Sequence, residues 1–401
     1  MNRIYLFCIV LLVLSCNRKP SEGDSLKLSP VMKSDSLFIV NIDTAQELKF
    51  LKLSDLFSHV RYIPLETNAA SLIGRITQLC TQGDTIFILD AAITKKVQAF
   101  HKDGRHISTV GARGEGPEEY RSPSSIGIDG DFLYLYDVET KRLQFYDIKT
   151  LRFRHSVKFD LSTANRYVTM LQGKIYTDAY DWKMANPFLI QSVDRETGQS
   201  LHQWLSTEDY NLGFLDATYF TGEVSFYKAE QTIKYHQIFS DTIMQITEKG
   251  IFPYLCLQSK RLVSRENLLE LQKGKESSFS SIQTSITGIY NIHHYVEWGK
   301  HLSFSFNERN YIMTVILNKE NGSFILVNSL YDDLVFAQRE KSINIIPIWG
   351  DAGGLYGYIH PLEMEKFLNL LQKGLVNASD NDKAILLNLT DDANPVLMYY
   401  E

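Results

Sequence analysis

A chain of 401 residues can bury a sizeable core, and its net charge of −6, without any dense basic block, excludes nucleic acid as a partner. Four cysteines in this length exclude a disulfide scaffold. With 22 Tyr, 22 Phe and few long amphipathic helical patterns, the composition points to an aromatic-rich β protein.

Residues 1–15 read as an export signal. Arg3 precedes the apolar run from Ile4 to Leu14, which is shorter than the roughly twenty residues a membrane-spanning helix needs but suits a signal-peptide core. Val13-Leu14-Ser15-Cys16 has the form of a lipobox, in which Cys16 takes a diacylglyceryl group and becomes the mature N-terminus. A plain signal peptide with a chance cysteine is the competing reading. The acyl chains would hold the protein stably at a membrane, since one chain alone binds only marginally. The expected location is the cell envelope, at the outer membrane, with the face left open.

Residues 16–56 are mostly polar and are expected to form a flexible tether. Asp24-Ser25-Leu26, Asp35-Ser36-Leu37 and Asp43-Thr44-Ala45 resemble a short bacterial O-glycosylation sequon that chance also supplies. Removal of the signal leaves Cys80 and Cys256, each in an apolar strand-like run. Both are expected to be buried and unpaired, a single bridge being the alternative.

From residue 57 onward short alternating or apolar runs recur between turn residues. Asp84-Thr85-Ile86-Phe87-Ile88-Leu89-Asp90 returns 47 residues later as Asp131-Phe132-Leu133-Tyr134-Leu135-Tyr136-Asp137, and Val97-Gln98-Ala99-Phe100 returns as Leu143-Gln144-Phe145-Tyr146. A period of this size, with four strands per unit, is that of propeller blades. Blade one falls at 73–111, blade two at 123–160, blade three at 167–205, blade four at 212–258 and blade five at 289–331. A helical insertion is expected at 264–271. Blade six has to combine strands at 343–349, 355–359 and 396–400 with 60–65, closing the ring with both chain ends; helices are expected near 362–373 and 380–389. The fold class is all-β, a six-bladed propeller over 57–401.

The segments Val60-Arg61-Tyr62-Ile63-Pro64-Leu65-Glu66-Thr67, Gly111-Ala112-Arg113-Gly114-Glu115-Gly116-Pro117-Glu118-Glu119-Tyr120 and Asn394-Pro395-Val396-Leu397 resemble those of six-bladed β-propeller lipoproteins of unknown function. These are abundant in gut-dwelling bacteria and distantly similar to NHL-repeat propellers. The resemblance covers the chain after the tether and implies a fold without implying a chemistry.

The glycine-rich stretch 111–120 is the most distinctive candidate site. Its glycines permit positive φ and close backbone approach, and Arg113, Glu115, Glu119, Tyr120 and Arg121 cluster around it. At a channel mouth these side chains would bind a glycan, peptide or protein; the plainer reading is a connector that every blade junction requires. The stretch lacks the pattern of a phosphate-binding loop. His293, Tyr295 and Glu297 share a face on an ideal strand, so that His293 and Glu297 form a metal-like pair without an identifiable third ligand. No metal and no cofactor is expected. Asp84, Asp131, Asp90 and Asp137 repeat between blades, as turn-capping acids do and catalytic acids do not. Tyr134, Tyr136, Tyr180 and Trp182 either stack on sugar rings or pack between blades. No Gly-x-Ser-x-Gly elbow occurs. The expected function is a monomeric, membrane-anchored binding or scaffold module; the alternative is a lyase or hydrolase sited in the channel.

Overall fold

A strand with a neighbouring sheet on each face must be apolar on both, and the middle strands of the repeat are. Positions 86–90 and 97–100 of blade one are buried without a break, as are 133–137 and 143–146 of blade two. The alternation of a half-exposed sheet is therefore absent where the repeat is strongest. The computed structural model describes residues 29, 31, 37–179, 187–210, 225–229, 231–237, 239–272, 285–309 and 311–401.

Six antiparallel sheets form the body. Blade one consists of Gln78–Gln82, Thr85–Asp90, Lys96–His101 and His106–Val110 in sequential order. Blade two repeats this with Pro123–Asp129, Phe132–Asp137, Arg142–Asp147 and Phe153–Lys158, and blade three with Val168–Leu171, Lys174–Asp178, Phe188–Val193 and Ser200–Ser206. Blade four contains Phe226–Ala229, Thr232–Tyr235, Thr242–Thr247 and Gly250–Gln258; blade five contains Ile289–Trp298, His301–Glu308, Tyr311–Asn318 and Phe324–Val327. Blade six is built from Ile346–Gly350, Leu355–Tyr358, Val396–Tyr400 and Val60–Pro64. The C-terminal strand pairs antiparallel with the strand near the N-terminus from Val396↔Pro64 to Tyr400↔Val60. The six-bladed ring and its shared closing blade are as the sequence predicts, and so are the helices Met364–Gln372 and Asp380–Leu386 within blade six.

The tether boundary is different. Residues 38–52, expected within a flexible segment ending at 56, are laid along the outer edges of two blades. Phe38–Asn41 pairs parallel with residues 255–258 of blade four, and Glu47–Leu48 pairs parallel with Leu326 and Val327 of blade five. Leu51–Lys52 then pairs with Leu330–Tyr331. Val40 and Ile42 are buried, which anchors an otherwise polar segment. The added strands also cover edges that would otherwise offer unpaired backbone groups. The triplet Asp43-Thr44-Ala45 belongs to this edge: the Asp43 carboxylate accepts from the Ser259 hydroxyl at 2.6 Å and from the Lys260 N–H at 2.8 Å. The other two triplets, apart from Leu37, and Cys16 lie outside the described residues.

The turns between third and fourth strands repeat one backbone device. Gly104, Gly198 and Gly322 have φ of +92°, +73° and +71°, and in blade two Leu151 takes the same conformation at +57°. Two of these glycines also touch the preceding blade. Gly104 O accepts from Glu66 N, and Gly198 O accepts from Asp160 N, both at 2.9 Å. A Cβ at Gly198 would stand 2.0 Å from Lys158 O, whereas one at Gly83, also at positive φ, would meet nothing within 4 Å. Gly83→Ala should therefore cost only the left-handed backbone penalty of about 1–2 kcal/mol. Gly198→Ala should cost clearly more, read as the larger fall in the denaturation midpoint when the two variants are compared.

Candidate functional site: the central channel

The innermost strands of all six blades enclose an open cavity of about 1520 Å³ along the propeller axis. This volume exceeds the range of roughly 300–1,000 Å³ usual for small-molecule pockets, so it accommodates an extended ligand. One end is the entry face, where each outer strand leads into the next blade. The other is the turn face, where first and second strands are joined.

The entry face is organised by a repeated buried acid. Asp90, at the end of blade one's second strand, accepts from the backbone N–H groups of Gly74 (2.8 Å) and Arg75 (3.2 Å). Asp137 accepts from Arg121 (2.8 Å) and Ser122 (3.0 Å), and Asp178 from Arg166 and Tyr167 (both 2.8 Å). Each carboxylate thus fixes the segment leading into its own blade's inner strand, as expected for the capping reading of Asp90 and Asp137. Asp84 and Asp131 sit at turns, where their carbonyls accept from Lys102 N and Ile148 N at 2.9 and 3.0 Å.

Near the turn face, Lys228 of blade four reaches to blade two. Its Nζ donates to the Ile128 carbonyl and stands 3.6 Å from the Asp129 carboxylate, which also accepts from Gly173 N of blade three at 2.8 Å. Burial lowers the Lys228 ammonium below its ordinary pKa, and Asp129 opposes that shift. Cys80 lines the same wall; burial raises its pKa to about 12, so it is held as an unreactive thiol. Neither Cys80 nor Cys256 forms a disulfide.

The loop residues predicted as a binding cluster are placed elsewhere. None of Arg113, Glu115, Glu119, Tyr120 and Arg121 lines the channel. Tyr120 is fully buried between blades one and two, and its hydroxyl donates to the Val110 carbonyl at 3.1 Å. The Glu119 carboxylate turns back to accept from Gly116 N at 2.7 Å, and its carbonyl accepts from the Gln144 amide at 2.9 Å. Arg121 pairs with Glu139 at 2.9 Å and with Glu115 at 3.7 Å. Arg113 and Glu115 are exposed on the outside of the loop. The glycines serve this compact connector: a Cβ at Gly114 would fall 2.0 Å from a Glu119 carboxylate oxygen.

The strand 289–298 departs from ideal alternation as well. It bulges between His293 and Val296, where His294 adopts φ +52°. The bulge turns His293 towards His294, with the two Nδ1 atoms 2.9 Å apart, so His293 and Glu297 do not converge. Among the described residues no three His, Cys, Asp or Glu side chains converge as a metal site. Glu297 is instead the centre of a buried junction between blades four and five. It accepts from the Tyr295 hydroxyl at 2.6 Å and pairs with Lys319 at 2.9 Å and Lys234 at 3.3 Å. Burial raises the Glu297 pKa, but Lys234, Tyr295 and Lys319 outweigh it and hold the carboxyl below its ordinary value. Beside it, the Tyr227 hydroxyl accepts from the N–H groups of Glu297 and Gly350 at 3.1 and 3.2 Å, joining blades four, five and six. Tyr134 and Tyr136 are likewise buried between blades, whereas Tyr180 and Trp182 lie outside the described residues.

Sequence reasoning missed Arg75, Arg166, Lys228, His236, His294 and His360 as channel residues. The available signal was the repeated acid, because the residues it caps mark where each chain segment enters the channel. Removing the charge at Glu297 should leave Lys234 buried without its partner, so Glu297→Ala should destabilise by about 3–5 kcal/mol. Replacing Glu297 and Lys234 together by Met should recover most of that loss in the same denaturation measurement.

With this geometry in place, the class is a closed six-bladed β-propeller with an axial cavity. Over residues 37–401 the chain matches the family profile described as Domain of unknown function (DUF4934), and it belongs to that family. A crystal structure of a "Putative exported protein" from Bacteroides fragilis NCTC 9343 is similar over 91% of this chain and 99% of that one, with a TM-score of 0.69 at 15% identity. That likeness is one of fold. PorZ, described as a surface component of the type-IX secretion system of Porphyromonas gingivalis, aligns over 72% of this chain and 31% of its own, with a TM-score of 0.36 and 11% identity. This second likeness is too slight to carry an argument. None of the curated proteins compared matches the chain.

Proposed function

We propose that this protein is an extracytoplasmic, membrane-anchored binding module that holds a glycan, peptide or protein partner in the channel through the entry face. The observation that carries the reading is the cavity itself, walled by six blades whose charged groups are largely engaged in holding the walls. The one carboxylate among the described lining residues, Asp129, is tied to Lys228 and Gly173. Glycoside hydrolysis by paired carboxylates needs two such groups flanking the substrate, which favours binding over catalysis. The export signal, the lipobox ending at Cys16 and the exported relative of like fold support a place in the cell envelope.

Two variants separate the channel from the outer loop. Ser124, half-buried on the channel wall, becomes bulky in Ser124→Trp, while Arg113→Ala with Glu115→Ala strips the loop. On an array of glycans and peptides the wild-type chain should retain at least one ligand, which Ser124→Trp loses and the loop variant keeps. The opposite pattern would move the site to the loop. Cys16→Ala should abolish incorporation of labelled acyl chains and release the protein from membranes; unchanged labelling would refute the anchor.

A further inference from the structure

We infer that the cavity has a side arm across blade five, open between that blade and blade six, and that the arm seats an uncharged saccharide chain running outward from the axis. The inference rests on the channel reading above and adds to it the ligand's chemistry and course.

The arm follows from which strands line the cavity. Blades one to four and blade six reach it only through their first and second strands and the segments adjoining these. Blade five also lines it with Ile312 and Thr314 of its third strand and with Asn328, just beyond its fourth. Four strands at their ordinary spacing span about 14 Å. The sequence explains the opening. In His301–Glu308, Leu302, Phe304 and Phe306 are buried in the core on one face, and alternation puts Ser303 and Ser305 on the other. His301 shares that second face and pairs with Trp298, whose ring packs against Phe57, which in turn packs against Tyr400 of blade six. The face towards blade six therefore carries hydroxyls where blades one and two have large apolar side chains, and the two sheets do not close on each other there. The bulge of the inner strand falls at the same level. His293 pairs with Ser305 across the ladder, and His294, exposed at φ +52°, lines the cavity. Bulges of this kind re-aim side chains beside sites.

No described residue of the arm is an Asp, Glu, Lys or Arg. Glu308 and Arg309 of the adjoining hairpin and Glu47 at the rim do not line it. Glu308 pairs with Arg261 at 2.6 Å, and Glu47 accepts from the Asn328 amide at 2.8 Å. Elsewhere in the cavity Lys228 pairs with Asp129, Arg166 faces Asp178 and Arg75 bonds to Tyr358. A charged ligand would lose hydration in the arm without gaining a counter-charge, which is costly. Hydroxyls and amides both donate and accept, as sugar hydroxyls do. The Ser305 and Thr314 hydroxyls stand 3.0 Å apart, and their mutual bond uses only one of their two hydrogens. An extended peptide would be held chiefly by backbone pairing at a free sheet edge. The arm instead crosses the strands and offers side chains, and the outer edge of blade five is already taken by Glu47–Leu48.

The test is calorimetric titration of the full chain with oligosaccharides of dextran, laminarin, xylan and mannan of increasing length. Polygalacturonate oligosaccharides and a peptide of Gly, Ser and Asn serve alongside. Binding to at least one of the four neutral saccharides is expected, little changed by salt because no ion pair forms, and tightening with length until the arm is filled. Ile312→Trp should fill the arm, and Ser305→Ala with Thr314→Val should strip its hydroxyls while changing the volume little. Each should weaken binding about tenfold or more, and unchanged thermal midpoints should show that both variants fold. Tighter binding of polygalacturonate or of the peptide, binding to none of the four, or indifference to both arm variants would each overturn the inference. If Ser124→Trp blocked the ligand and the arm variants did not, the channel reading would stand while this inference fell. If a neutral saccharide bound and neither Ser124→Trp nor Ile312→Trp weakened it, both would fall.

Discussion

The ring depends on one five-residue pairing between ends of the chain that are more than 300 residues apart, Val60–Pro64 against Val396–Tyr400. Without it, blade six would present an open edge and its neighbour blades would each lose a face of packing. The pairing is reinforced from both sides. Phe57 packs against Tyr400 and Trp298 with ring centres 5.5 and 5.6 Å apart, and the Tyr400 hydroxyl donates to Asp332 at 2.5 Å. Asn394, just before the closing strand, donates its amide to the Glu66 and Ser71 carbonyls at 2.7 and 2.9 Å, while its own side-chain oxygen accepts from Ile73 N. One buried asparagine thus ties the C-terminal strand to the start of blade one.

Closure fixes the width of the axial cavity, and local devices fix what faces it. The acids Asp90, Asp137 and Asp178 hold the incoming segments; Tyr227 and Glu297 lock blades four to six; Lys228 and Asp129 link blades four and two near the turn face. These groups are charged or polar and mostly buried, so each is costly unless fully paired. Their pairing makes the wall rigid, and a rigid wall needs no ordering when a ligand enters the channel.

Much of this architecture was legible in the sequence, because packing between blades imposes a repeated apolar pattern. The 47-residue recurrence of Asp84–Asp90 in Asp131–Asp137 exposed the period, and the closing blade followed from the need to leave no free edge. The edge strands at 38–52 were not legible: their fit depends on partners more than 200 residues away, and their composition is that of a tether. The candidate site was read less well than the fold. The glycine-rich loop drew attention because its composition is unusual, but its glycines serve contacts with Glu119 and its tyrosine serves the core. The channel residues instead come from ordinary-looking positions in different blades, which converge only once the ring is closed. His293 and Glu297 were separated by a bulge that no alternation pattern reveals.

Closure of the ring is the condition for everything inside it, and hydrogen exchange on the full chain tests that most directly. Peptides covering 60–63 and 396–400 should exchange as slowly as those covering the matching strands of blade one, because both would open only when the ring opens. Rapid exchange at 60–63 and 396–400, with blades one to three still protected, would contradict it.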